Sequence, residues 1–322
     1  MYILGLGGSG HDFSACVCDN DKILGFIEDE RITRIKHSFF LGNDKKISEM
    51  SSVFYLCNML GIELSEFELV IANNIIKEEF YNQYIPHDKV IKINHHLSHA
   101  SSAYFPSEFK SSAILIIDGA GDSYEEGLSE TVSLWYGEDK RIINLLTHKG
   151  RVVPYEVYTD FSLPFENSIG GMYRVVTNLI GFGLFDEGKT MGIASYGSDK
   201  YYKQMRNLVD YDENGMFLMP IESYKKLIEM GSRLNTFQDK ADFSYAAQKI
   251  TNESVVNAAK TVKKLTGSEN ICIAGGVALN SVANYAIYKS KLFKHFFIQP
   301  AAGDDGTSIG ASLYGAYQLK QS

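Results

Sequence analysis

The chain has 322 residues, 45% of them hydrophobic, a size that buries a substantial core and suggests two domains or two lobes of one fold. Its formal charge of −8, from 39 acidic against 31 basic residues, denies the surface the general positive potential that non-specific nucleic-acid binding relies on, so a tRNA partner is disfavoured. No apolar run reaches the roughly 18 to 20 residues of a membrane span, no low-complexity tract marks a linker, and Met1 to Leu6 enters a strand with no basic leader, so a cytosolic protein is expected.

The first expected element is the apolar strand Tyr2 to Leu6. A Gly-rich turn ending in His11-Asp12 follows, then two strands, Phe13 to Cys18 and Ile23 to Ile27. Cys16 and Cys18 share one face of a strand, a spacing unlike zinc or redox pairs, and with Cys57 and Cys272 they read as buried thiols. Ile47, Met50, Phe54, Cys57 and Leu60 recur at three- and four-residue steps, predicting a helix over 44 to 60. The strand Val90 to Ile93 leads into Asn94-His95-His96-Leu97-Ser98-His99-Ala100 at a helix start. From Ala113 the opening order recurs: an apolar strand to Ile117, the turn Asp118-Gly119-Ala120-Gly121-Asp122, then strands near 131 to 136 and 141 to 146. That recurrence implies a duplicated architecture. Segment 198 to 240 is polar and irregular and reads as an insertion near a substrate entrance. A helix is expected over 242 to 265, from an Asp242 cap to Gly267, then short strands at Ile271 to Ala274 and His295 to Ile298 around a helix, and a last helix over about 306 to 318. Meanders followed by alternating helices and strands predict two α/β lobes with a ligand cleft between them.

On a helix His95 and His99 project from one face and can share a metal ion at roughly 2.0 to 2.1 Å, whereas His96 points elsewhere. The same spacing also suits a hydrogen-bonded capping cluster. Two neutral imidazoles need anionic co-ligands, and Asp118 and Asp304 both stand at turns after strands; such a set suits iron(II), manganese or zinc as a Lewis acid. Asp304 is equally placed to be a helix N-cap. The turns at Gly5 to Gly10, Gly119 to Gly121, Gly275-Gly276 and Gly303 to Gly306 can cradle phosphates with backbone amides, although glycine is also the default turn residue. Gly188-Lys189-Thr190 is not a P-loop, because no strand precedes it. His11, with Asp12 beside it, is placed to take a proton from a reacting hydroxyl.

Together these segments resemble the O-carbamoyltransferase family of nodulation protein U and the cephem and tobramycin carbamoyltransferases. The resemblance runs through Ile3 to Ala15, Glu28 to His37, His95 to Tyr104, Ile117-Asp118-Gly119, Asn167 to Tyr173, Glu187 to Ala194, Ala274 to Asn280 and Gln299 to Ser308. It implies the two-lobed ASKHA fold of actin-like ATPases and sugar kinases, with duplicated ribonuclease-H-like subdomains at 1–112 and 113–307 and the 308–322 helix packing back on the first. It also implies a metal, commonly Fe2+, held by His95, His99 and Asp304, with Asp118 as a further ligand or phosphate-loop acid. His11 would be the general base; Asp12, Gly119 and Gly306 would line the nucleotide and carbamoyl site; Gly275, Gly276 and Asn280 the adenosine pocket; Lys189 would lie near the phosphoryl or carbamoyl group. Arg31, Arg34 and Lys36 are either anion contacts or a solvated turn. The implied donor is ATP-derived carbamoyladenylate and the acceptor a hydroxyl of a small molecule. Family members usually carry a further YrdC-like domain that makes the donor, so a separate YrdC-like partner is expected, or else a longer chain. The tRNA threonylcarbamoyl transferases share fold and histidine pair but carry Ser-Gly-Gly where this chain has Asp118-Gly119-Ala120. A non-catalytic scaffold of the same fold would have no need of His95, His99 and Asp304.

Overall fold

The computed structural model describes residues 1–39, 49–158 and 164–318. The first sheet is built from β1 (Tyr2–Gly7), β2 (Ser14–Asp19) and β3 (Lys22–Glu28) as an antiparallel meander, extended from β1 by the parallel strands β4 (Phe67–Asn73) and β5 (Val90–Ile93). The one-turn helix α1 (Asp29–Thr33) follows β3, and α2 (Ser51–Leu60) packs on β2 and β3 through Val53, Leu56 and Cys57. The helical period read over 44 to 60 is realised from Ser51 onward; residues 40–48, Ile47 among them, lie outside the described residues.

After α3 (His95–Tyr104) the same plan is laid down again. Strands β6 (Ser111–Ile117), β7 (Leu128–Glu138) and β8 (Arg141–Arg151) form an antiparallel meander, to which β11 (Asn270–Ala274) and β12 (His295–Ile298) add in parallel. The strand orders β3-β2-β1-β4-β5 and β12-β11-β6-β7-β8 are one topology used twice. Between β8 and β11 lie α4 (Ile169–Leu179), α5 (Glu187–Ala194), α6 (Tyr202–Arg206), the hairpin β9–β10 (Asp210–Tyr211, Phe217–Leu218), α7 (Ile221–Gly231) and α8 (Phe237–Thr266). The segment read as an irregular insertion is therefore mostly regular structure. Its Met205, Met216, Phe217, Met219, Tyr224 and Leu227 are buried in the core of the second sheet, and none of its residues lines the cleft. Its apolar residues are divided among several elements, with Tyr224, Leu227 and Gly231 forming the buried face of α7.

Helix α8 begins five residues before the expected Asp242 cap. Thr236 accepts from the Asp239 amide and Asp239 reaches back to Thr236, closing a capping box, while Asp242 lies inside the helix and accepts from the Ser198 amide at 2.7 Å. Its far end is Gly267 in the left-handed conformation, as the sequence indicated. The chain then runs through α9 (Ser281–Lys289) to the last helix, α10 (Thr307–Gln318).

The two helices that follow the fifth strands are exchanged. α3 leaves the first sheet and buries Ala100, Ala103 and Tyr104 against Ile114, Ile116 and Cys272 of the second; α10 leaves the second and buries Ile309, Ala311 and Leu313 against Ile3, Cys16 and Ile71 of the first. The four cysteines are buried free thiols. The two helices touch backbone to backbone: a Cβ on Gly310 would stand 1.7 Å from the Ser98 carbonyl oxygen. Among the described residues no helix is long and apolar enough to cross a membrane.

Two stability measurements check this packing. Gly310→Ala forces α3 and α10 apart and is expected to cost about 2 to 3 kcal/mol in denaturant unfolding. Asp29 is fully buried, accepts from the Ser52 amide at 2.8 Å, and is pushed by burial up to about 6 from its ordinary 3.8. Below pH 4 both folded and unfolded chains hold this proton; above pH 6 the fold carries a buried charge, and stability falls between the two. Asp29→Asn keeps the acceptor for Ser52 and is expected to stabilise by about 3 kcal/mol above pH 7 and by nothing near pH 4.

Candidate active site

The site lies where the strand ends of both sheets meet the exchanged helices. Asp118 caps β6, His95 and His99 stand one turn apart on α3, and Asp304 opens the short turn before α10. All four are buried, and one donor atom from each lies within 4.8 Å of every other. His95 Nε2 is 3.1 Å from Asp118 Oδ2, 3.5 Å from Asp304 Oδ1 and 3.2 Å from His99 Nε2; His99 Nε2 is 3.8 Å and 3.7 Å from the same two oxygens. A tetrahedron of donors about 2.1 Å from a central ion has edges of ~3.4 Å. The five separations lie within about 0.4 Å of that edge, so the donor set fits a divalent cation. Asp118 is aimed by two turns: the amides of Gly119, in its own turn, and of Gly276, in the turn after β11, donate to Oδ1 at 2.8 and 3.1 Å, which leaves Oδ2 for the cluster.

Electrostatics makes the same demand. Burial opposes a charge on His95, but the carboxylates of Asp304 and Asp118 overcome it and drive the ring up to about 10. Asp118 is likewise held down at about 2, and Asp304 well below its usual range, because the imidazoles outweigh the burial that opposes them. Two buried carboxylates thus require positive charge between them, as a proton or as a metal. His96, one residue away, faces Ser133 Oγ at 2.8 Å and is pulled down by burial to about 3, so it stays neutral and outside the cluster.

The cluster opens into a cavity of about 420 Å³ lined from both lobes. At one end His11 Nδ1 donates to Asp12 Oδ2 and His37 Nδ1 to Asp12 Oδ1, each at 2.9 Å, and both rings lie 4.5 Å from the Phe185 ring. The shared carboxylate leaves each Nε2 as an acceptor, and that of His11 is 3.8 Å from Asp304 Oδ2. Burial works against the protonated His11 ring, but Asp12 and Asp304 raise its pKa above the ordinary 6.5. At the other end Asn280 caps α9 through the Ala283 amide and donates to Gln248 Oε1, which also accepts from the Tyr173 hydroxyl at 2.7 Å.

Of the residues expected at the site, the cavity and the buried four-residue cluster beside it bring together His11, Asp12, His95, His99, Asp118, Gly119, Gly276, Asn280 and Asp304. Gly275 supplies the turn beneath them at φ 93°, where a Cβ would stand 2.4 Å from the Ile117 carbonyl oxygen. Gly306 packs on Ala301 and does not line the cavity. Lys189 is 60% exposed, paired to Asp186 at 2.8 Å and away from the lining, and Arg31, Arg34 and Lys36 are exposed as well. Arg174 does line the cavity, 3.5 Å from Glu187 and over the Phe185 ring. Arg174, Phe185 and Gln248 carry no local signal in the sequence. Tyr173 and His37 stand inside the motifs already noted, but only the folded chain gives them a place.

Two repeated α/β sheets with exchanged helices around such a cleft make up the two-lobed ASKHA fold. Among solved structures of this architecture are HypF from T. kodakarensis (TM-score 0.68, 14% identity, 99% of this chain and 48% of that one) and the activator of 2-hydroxyisocaproyl-CoA dehydratase from Clostridium difficile with bound ADPNP (TM-score 0.58, 14% identity, 100% and 96%). Residues 82–313 match the family described as Carbamoyltransferase N-terminus, and the chain belongs to it. The nodulation protein NolNO of Sinorhizobium fredii is 28% identical over 97% of this chain and 47% of its own length. The chain spans about half the length of the curated relatives it matches.

Proposed function

We propose that the protein is a metal-dependent O-carbamoyltransferase, moving the carbamoyl group of carbamoyladenylate to a hydroxyl of a small-molecule acceptor. Family membership supports the transferase class, and one observation carries the chemistry: a buried two-histidine, two-carboxylate cluster opens onto the same cavity as a His11 ring whose Nε2 faces it. His95, His99, Asp118 and Asp304 would hold the ion, Fe2+ or alternatively Mn2+ or Zn2+, which supplies Lewis-acid stabilisation of negative charge when bound. The adenosine moiety is assigned to the end formed by Gly276, Asn280 and Tyr173, the acceptor to the end formed by His11, His37 and Phe185. Asp12 fixes the His11 tautomer, and His11 Nε2 takes the proton as the acceptor oxygen attacks the carbamoyl carbon; the bond to the phosphate oxygen breaks and AMP leaves.

The donor is assigned to a separate YrdC-like protein or to a part of the chain beyond the sequence described. A cytoplasmic location accords with the four buried free thiols. Anaerobically purified protein is expected to hold about one metal ion per chain, and His95→Ala and Asp304→Ala to lose both the ion and transfer from supplied carbamoyladenylate. His11→Ala should keep the ion and lose transfer by about 10²-fold or more. A metal-free wild type that still transfers would overturn the reading.

A further inference from the structure

A histidine that binds a metal is ordinarily aimed by a hydrogen bond on its other ring nitrogen. In this protein Nδ1 of His95 and of His99 is buried without such a partner among the described residues. Among the protein's own described groups this leaves the backbone of α3 to aim them, and in particular its first turn, whose amide N–H groups have no partner within the helix.

That turn is gripped by a residue from another segment. The His95 amide donates to Asp122 Oδ1 at 3.1 Å, while the Leu97 amide is capped by the Asn94 side chain at 2.8 Å. Asp122 Oδ2 accepts from the Asn94 side-chain amide at 3.1 Å and from that of Asn74, just past β4 of the first sheet, at 2.5 Å. Glu130, 1% exposed, locks the assembly by accepting from Asn94 at 2.9 Å and from the Asp122 amide at 3.3 Å. Asp122 lies four residues after Asp118 in the same turn.

We propose that Asp122 is the positioning residue of the metal centre: one turn supplies a ligand through Asp118 and, through Asp122, fixes the helix start that carries the two imidazoles. The assignment rests on the metal reading above. It differs from ordinary helix capping in what it controls. A cap that served only stability would leave the affinity of the folded protein for an ion unchanged.

Cobalt(II) is the probe, with affinity measured by chelator competition and geometry by the visible absorption of the bound ion. Asp122→Ala is expected to weaken binding 10- to 100-fold and to alter the spectrum. Asp122→Asn keeps the acceptor for the His95 amide but sets an NH2 group against Asn74 and Asn94, and should fall between wild type and alanine. Asn74→Ala, which removes one donor, should weaken binding two- to fivefold. Leu227→Ala, in the core away from the site, should lower the melting temperature and leave affinity within twofold. Wild-type affinity and spectrum in Asp122→Ala overturn the proposal alone; a wild type that binds no cobalt overturns the metal reading and this proposal with it. If Asp122→Ala does not fold, Asn74→Ala decides, and unchanged affinity there counts against the assignment.

Discussion

Two carboxylates and two imidazoles occupy one buried volume, and no member can carry its charge there alone. Removing a carboxylate from water costs several kcal/mol even after relaxation, and that cost is offset only when opposite charge lies within a few ångströms. Asp118 and Asp304 meet this condition through His95 and His99. Their four positions come from three separate stretches of chain, so the cluster forms only when both sheets, α3 and α10 are in place. Much of the architecture can be read as the means of bringing those stretches together.

Exchange of the two helices is the central device. Because α3 covers the second sheet and α10 the first, the turn before each helix is carried to the junction between the lobes. The approach is close enough to require small residues on both sides, and the sequences Ser98-His99-Ala100-Ser101-Ser102 and Ser308-Ile309-Gly310-Ala311-Ser312 supply them. The Gly8 amide donates to the Asp304 carbonyl at 3.0 Å, which ties the first turn of the chain to the last ligand loop.

Strand repetition and the histidine pair were legible in the sequence because each is local: a strand shows in six residues, and His95 and His99 are one helical turn apart. The shared topology of the sheets followed from reading the same order of elements twice. What stayed hidden depends on contacts between distant segments. Lys189 sits in one of the segments that carry the resemblance, yet the fold turns it outward onto Asp186, while Arg174, the residue just after the Asn167 to Tyr173 segment, lines the cavity. The 198 to 240 segment misled for the opposite reason, since its average polarity concealed buried residues spaced over several short elements.

Left-handed backbone gathers around His11 at one end of the cavity. Asp12, His37 and Phe185 have φ of 53°, 60° and 63°, a left-handed conformation that costs a residue with a side chain roughly 1 to 2 kcal/mol. Three such residues, from three loops, converge on His11: Asp12 by hydrogen bond, Phe185 by ring contact, and His37 through the shared carboxylate. The conformation places Asp12 where its carboxylate bonds both imidazoles, and it sets His11 Nε2 3.8 Å from Asp304 Oδ2. Strain that persists in such a place is retained for the geometry it imposes on the site.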